Sequence, residues 1–328
     1  MRKGVNPEKF KGEKNIKKQH RVIVVFYIPN VIDDYYKESI NVLDCCLESL
    51  TNTINFETTC ITLINNNSEA SINLIIDKYI SKGQIDKYVL YSENKGKVYA
   101  VMNEIRGIYE PFVTISDADV LFIKGWEKAV FNVYKNFDKA GVVAPLPCSN
   151  LAFNHNNSVF FDNILAFSIK KNKIVADQDC DIYLEGLGND SLLNRNNRNF
   201  NWRTHQYYLK NKNGVAILGA GHFVATYRTT LISNCYHYPE FKFFNGYEDQ
   251  FIDNKADIKG YYRLSLHKTF AYHIGNRLDE NVANFKKIEG DHIKLKDFEM
   301  LQLKIKKRYS PYWLRSIAFR LIKKIVKL

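Results

Sequence analysis

The chain has 328 residues, of which 45% are hydrophobic and 25% charged, and it carries a net charge of +12. That length buries a substantial core as one large domain or two ordinary ones. No apolar run approaches the roughly 20 residues that span a bilayer, and the charged start MRKGVNPEKFKGEKNIKKQH lacks the apolar centre of a secretory signal, so the expected location is cytoplasmic.

The positive charge points to anionic partners, and its placement narrows them. The excess gathers in Lys9 to Arg21 and in Lys304 to Lys327, while the middle is nearly balanced, which is not one basic groove running through the molecule. No nucleic-acid partner is expected. Six cysteines form neither a CxxC pair nor a compact framework, so reduced, mostly buried thiols are expected.

In chain order, "RVIVVFYIP" reads as a buried strand closed by Pro29, and "ESINVLDCCLESL" as a helix with Ile40, Leu43, Leu47 and Leu50 on one face. "TCITLI" is a second strand ending at Asn65, Asn66 and Asn67. Ile72, Ile75, Ile76, Tyr79 and Ile80 then form a helical stripe. "KYVLYS" is a third strand, and "ENKGKVYAVMNEI" is a loop that becomes a helix. "PFVTIS" is a fourth strand, running directly into Asp117 and Asp119, and "WEKAVFNVYKNF" is an amphipathic helix on which Trp126 reads as core. Alternating strands and helices predict an α/β fold with a mostly parallel central sheet. Ligands bind such sheets beyond the carboxyl ends of the strands, where these polar loops converge. Residues 148–214 are Asn-rich and weakly periodic, and read as an irregular insertion over the sheet. Strand and helix character returns with "GVAILGAGHFVATYRTTLI".

Asp117 and Asp119 flank a small residue, Ala118, which lets both carboxylates reach one divalent cation if the backbone turns there; the alternative is an ordinary turn. Hard oxygen ligands suit Mg²⁺ or Mn²⁺. Asp177, Asp179 and Asp181 superficially suggest a calcium loop, but the glycine at its sixth position and the glutamate at its twelfth are missing, so a solvated acidic turn is expected.

The ordered set "LINNNSEA", "ENKGKVYAVMN", "TISDADV", "GAGHFVATYR" and "GYEDQF", after a first strand closed by Pro29, resembles the GT-A fold of glycosyltransferase family 2 over roughly residues 20–280. The resemblance implies a transferase that moves a sugar from a nucleotide-diphosphate donor, a UDP-sugar favoured, to a glycan or lipid-linked hydroxyl in surface polysaccharide or glycoconjugate synthesis. It implies that Asp117 and Asp119 hold Mn²⁺ or Mg²⁺ on the diphosphate, with His273 of "AYHIGN" as a further ligand. It assigns the general base to Glu248–Asp249, with Asp249 preferred and inversion at the anomeric carbon expected; a helix-entry acid pair is the alternative. Donor binding falls to Pro29, Asn65, Asn67, Asn94, Gly96, Lys97, Asp117 and Ala118. Asn65 stands where the family often has aspartate, and Asn103 falls one residue late. Gly219, Gly221 and His222 are assigned to the sugar pocket, unless the glycines only permit close packing.

The spans follow: a basic leader at 1–20, a catalytic domain at 21–290 divided into 21–147, 148–214 and 215–290, and a helical extension at 291–328. Its helix, 311–328, sets Trp313, Leu314, Ile317, Leu321, Ile322, Ile325 and Leu328 against Arg315, Arg320, Lys323, Lys324 and Lys327. That pattern suits peripheral association with an anionic membrane, and docking on its own domain or a second subunit is the alternative. A nucleotidyltransferase also places metal carboxylates at a sheet edge, but announces a glycine-rich basic loop after the first strand, where this chain has Asp33 and Asp34. A non-enzymatic membrane or nucleic-acid module would rest on charge alone.

Overall fold

The computed structural model describes residues 4–6, 9, 11–12, 17–163, 168–188, 201–234, 239–240, 242, 247–299, 301 and 310–326. Cys235, half of the basic leader, Lys304 to Arg308, Lys327 and Leu328, and the side chain of Ile325 lie outside the described residues. The first half follows the alternation read from the sequence: β1 (His20–Phe26), α1 (Ser39–Thr53), β2 (Thr59–Asn65), α2 (Asn73–Ser81), β3 (Lys87–Leu90), α3 (Lys97–Ile105), β4 (Phe112–Asp117), β5 (Val120–Phe122) and α4 (Trp126–Asn136). Then come β6 (Ala140–Ala144), α5 (Asn157–Asn163), β7 (Ile169–Asn172), α6 (Asp177–Leu187), β8 (Gln206–Asn211), β9 (Gly214–Leu218), β10 (Val224–Arg228) and α7 (Thr229–Ile232). A π turn at Asp249–Asp253 leads into α8 (Asn254–Ile258), followed by β11 (Tyr262–Ser265), β12 (Ala271–His273), α9 (Glu280–Phe285), α10 (Leu295–Glu299) and α11 (Tyr312–Val326).

Ten strands form one sheet in the order β3-β2-β1-β4-β10-β6-β11-β9-β8-β7. The block β3-β2-β1-β4 is parallel throughout, and β6 and β11 are also parallel. Every residue of β2 is buried, as is most of β1 and β4, which explains their continuous apolar runs: both faces of a parallel sheet are covered by helices. Between β4 and β6 lies β10, antiparallel to both, so the second half of the chain is spliced into the middle of the sheet.

The stretch expected to lie over the sheet as an irregular insertion instead contributes two strands, β7 and β8, to its far edge. Asn211 sets the β8–β9 register: its side-chain oxygen accepts from the backbone N–H of Asn213 and Gly214 and closes a tight hairpin. β8 hides from a pattern search because its first four residues, Gln206 to Leu209, are all buried and show no alternation. Trp126 is fully buried and donates to Thr53 Oγ1 at 3.1 Å, the core position expected of it. The five described cysteines are free and buried.

No described helix is long and apolar enough to cross a membrane. α11 packs on α5, with Phe319 tilted against Phe160 at 5.2 Å between ring centroids. Arg315 departs from the cationic outer face assigned to it: it is 4% exposed and turns inward, donating to Ser158 Oγ and, at 2.8 Å each, to the carbonyls of Asp257 and Ile258. The reason is local: the C-terminal carbonyls of the short helix α8 need donors, and a guanidinium supplies several in one plane. Arg315→Met should therefore cost about 2–3 kcal/mol in urea unfolding, the range for buried hydrogen bonds to a charged group; a change below about 0.5 kcal/mol would show that α11 is not held this way.

Candidate active site

β4 delivers Asp117 at its last residue, and the chain turns through Ala118 into β5. β12 pairs antiparallel with β5 with His273 opposite Val120, and the Ile274 N–H donates to the Asp119 carbonyl at 2.7 Å. That pairing brings a residue more than 150 positions away beside the two aspartates: one ligand atom each from Asp117, Asp119 and His273 lie within 4.8 Å of one another. His273 Nδ1 lies 2.6 Å from the Gly186 carbonyl oxygen. A carbonyl only accepts, so Nδ1 carries the proton, and in the neutral ring the lone pair sits on Nε2, 3.4 Å from Asp119 Oδ2. A lone pair facing a carboxylate is unfavourable unless a cation or proton lies between them.

The inner oxygen of Asp119, Oδ1, is buried and has no hydrogen-bond partner among the described residues. Burial is the largest cause raising the Asp119 pKa, with Asp117 adding to it and His273 opposing. Two carboxylates and one imidazole whose other nitrogen is fixed by a carbonyl form a donor set that fits a divalent cation such as Mn²⁺. Gly186, on α6, is itself constrained: a Cβ there would sit 2.9 Å from the His273 carbonyl oxygen and 3.2 Å from its Cβ.

Lys97 is ion-paired with Asp117 and lies 3.7 Å from Glu248. Burial would lower the pKa of this ammonium, but the Asp117 and Glu248 carboxylates outweigh it and hold it above its ordinary value. The loop before it is built by Asn66, which the sequence reading passed over. Its amide donates to Asn94 Oδ1, its oxygen accepts the Lys95 N–H, and Asn94 Oδ1 accepts the Gly96 N–H. Gly96 has φ +81°, and a Cβ would lie 2.1 Å from the Lys242 carbonyl oxygen, so only glycine fits. Asn65 is buried, donating to Tyr88 Oη at 2.8 Å and accepting the Ser68 N–H at 2.7 Å; most of its amide is therefore spent inside the fold. Asn67 is exposed with φ +69°, and Pro29 is half-buried at the mouth of the same edge.

A cleft of about 180 Å³ lies at this edge, lined by Asp117, Ala118 and Asp119 and by Tyr27, Tyr35 and Tyr36. Larger clefts, of about 690 and 820 Å³, hold none of the acidic triad and lie against α4 and residues 54–57.

The remaining expected residues separate into two groups. Gly219 and Gly221 are buried against the turn at Cys148; at Gly219 (φ +115°) a Cβ would meet the Cys148 carbonyl oxygen at 2.6 Å, which close packing alone explains. His222 is exposed at the surface and faces Asp253 at 3.5 Å, and its pKa is raised first by that hydrogen bond. Asp253 is buried, paired with Arg263 at 3.0 Å and accepting from Tyr227 Oη at 3.0 Å. Burial opposes its ionisation, yet Arg263 and His222 hold it far below the usual carboxylate range. This network anchors the π turn on which Asp249 stands, with Glu248 just before it; π turns recur at functional sites. Asp249 does not touch Asp117, Asp119 or His273 but accepts from His155, a residue not singled out by the sequence. The acidic run at α6 is no cation loop: Asp177 and Asp181 pair with Lys173 and Arg203, and Asp179 accepts the Thr269 N–H.

Residues 31–187 match the family model described as Glycosyl transferase family 2. The matched segment holds Asp117 and Asp119. Glu248, Asp249 and His273 lie beyond it. No curated protein matches the chain. Among solved structures it is similar to the mannosyltransferase PcManGT from Pyrobaculum calidifontis in complex with GDP-Man and Mn²⁺, with 13% identity and TM-score 0.45 over 76% of this chain and 54% of that one. It is also similar to S. aureus TarS 1–349, with 16% identity and TM-score 0.46 over 77% of this chain and 60% of that one. The same protein in complex with UDP-GlcNAc gives 14% identity and TM-score 0.44 over 81% and 60%. The chain thus spans little more than half the length of these structures.

Gly186→Ala should push β12 outward and weaken Mn²⁺ binding by about 10- to 100-fold, the range for outer-shell changes. Electron paramagnetic resonance of free Mn²⁺ reads this directly, and unchanged affinity would show that the Gly186 contact does not position His273.

Proposed function

Proceeding from the glycosyl transferase family 2 match over residues 31–187, we propose that the chain is a metal-dependent, inverting glycosyltransferase. It transfers a sugar from a nucleotide-diphosphate donor, a UDP-sugar, to a hydroxyl of a glycan or lipid-linked acceptor in surface polysaccharide or glycoconjugate synthesis. The single observation that carries the reading is the buried, unpartnered Oδ1 of Asp119 beside Asp117 and a His273 whose ring is turned by Gly186 to present Nε2.

Asp117, Asp119 and His273 would hold the cation, Mn²⁺ or Mg²⁺, which when bound supplies neutralisation of the charge that develops on a departing diphosphate. Lys97, ion-paired with Asp117, would contribute a second positive charge beside it. Tyr27, Tyr35 and Tyr36, which line the same cleft as Asp117, offer aromatic faces for a base. Asp249 serves as general base: one oxygen is engaged by His155, and the other is available to take the acceptor proton as the hydroxyl attacks the anomeric carbon and the C–O bond to the nucleoside diphosphate breaks.

α11 supports a peripheral association with the cytoplasmic face of an anionic membrane. Its inner face is docked through Arg315 and Phe319, while Trp313, Leu314, Ile317 and Leu321 remain exposed with Arg320 and Lys324 beside them. An outward apolar stripe flanked by cations is the pattern of a helix that lies in an anionic interface.

With Mn²⁺ present, one member of a UDP-, GDP- and dTDP-sugar panel, a UDP-sugar, should raise Tm, by mass action worth about 2.7 kcal/mol at a hundredfold excess over Kd. EDTA or Asp119→Asn should abolish that shift and sugar transfer; undiminished transfer in EDTA would remove the metal from the mechanism. Sedimentation with phosphatidylglycerol vesicles should fall about tenfold or more in Ile317→Ser/Leu321→Ser, since each apolar side chain contributes roughly 1.5–3 kcal/mol when fully buried. Equal sedimentation of the variant would reject the membrane surface.

A further inference from the structure

We propose that His155 is a positioning residue for Asp249, aiming its carboxylate so that one oxygen alone faces the acceptor hydroxyl. The inference rests on the reading of Asp249 as the base. His155 Nε2 lies 2.6 Å from Asp249 Oδ1, with the histidine side chain 21% and the aspartate side chain 47% exposed, so the pair is open to solvent rather than sealed in the core.

The backbone at this position is also unusual. His155 has φ +48°, the left-handed region, where a residue with a side chain costs roughly 1 kcal/mol and glycine costs nothing. The strain is held in place from both sides. Asn156 donates to the Ala152 carbonyl at 3.0 Å and accepts the Arg263 N–H at 3.3 Å; Asn157 and Ser158 donate to the Asp257 carboxylate. Arg315 of α11 then bonds both Ser158 and the Asp257 carbonyl. The loop bearing His155 and the helix following Asp249 are thereby tied to each other both directly and through Arg315, which fixes the separation of His155 and Asp249.

The groups facing Asp249 are His155 from the loop before α5, Arg263 from β11, and Glu248 and Asp253 from its own turn. The His155 hydrogen bond is the largest cause holding Asp249 below the usual carboxylate range; burial and Asp253 oppose it, and Arg263 assists. Removing His155 therefore raises the pKa of the base, and the acid limb of the rate profile moves to higher pH.

The test measures UDP release from the UDP-sugar selected by thermal shift, with Mn²⁺ and water as acceptor, across pH. His155→Gly should keep or raise Tm, because glycine relieves the backbone, yet lower kcat about tenfold or more with donor KM unchanged and shift the acid limb upward. His155→Gln, whose amide can still donate to Asp249, should recover most of the rate. Wild-type kcat and acid limb in His155→Gly, alongside an inactive Asp249→Asn, would overturn the positioning role and leave the base intact. Wild-type kcat in Asp249→Asn would instead reject the base itself. A rate loss that tracks a loss of Tm and is not rescued by glutamine would assign His155 a purely structural role and overturn the proposal.

Discussion

The negative charge at the end of β4 is the constraint around which the rest of the site is arranged. Two aspartates one residue apart are held where a buried strand leaves the sheet, and Lys97 covers only the first of them. Among the described residues the inner oxygen of Asp119 is left without a donor, a cost of about 1–3 kcal/mol for a neutral group and more for a charged one. The placement of His273 Nε2 toward that carboxylate supplies the third side of a cradle whose donor set fits a divalent cation. The same logic accounts for Lys97, whose ammonium stands between Asp117 and Glu248 and links the acidic turn to the later helix entry.

Everything that completes the cradle arrives from far along the chain. β10 enters the sheet antiparallel beside β4, and the Phe223 carbonyl accepts the Asp117 N–H at 2.8 Å. Phe223 also packs edge-on against the His273 ring at 4.9 Å. α6, from the stretch with the weakest pattern, supplies the Gly186 carbonyl that turns the His273 ring. The buried Asp253–Arg263–Tyr227 network fixes the π turn beneath Asp249. Arg315 extends the same scheme to the C-terminal helix, so the element with an outward apolar stripe is bonded directly to the two elements that flank the His155–Asp249 pair.

Much of this was legible in the sequence, for identifiable reasons. The strands β1, β2 and β4 are buried on both faces and so read as unbroken apolar runs, and α1, α3 and α4 carry stripes at helical spacing. Asp117 and Asp119 stood out because polar residues rarely interrupt two apolar runs without purpose. β7 and β8 did not stand out, since one is mostly exposed and the other buried without alternation. His155 carries no local signature: its left-handed backbone and its partner 94 residues away are visible only once the chain is folded. Asn65 and Asn66 show the same limit, because adjacent identical amides were given different work by their surroundings, one bonded within the fold and the other joining two loops.

By itself, then, the sequence determined the alternating α/β core and the acid pair at the end of its fourth strand, because periodicity and burial act over a few residues and leave their mark locally. The tertiary structure alone decided which distant groups face that pair and which way a helix presents its cations. Arg315 and Lys324 share one amphipathic pattern, yet one turns inward to bond carbonyls while the other stays in solvent. A hydrogen bond between residues a hundred positions apart depends on strand order and loop closure, and neither is written in the spacing of the residues that make it.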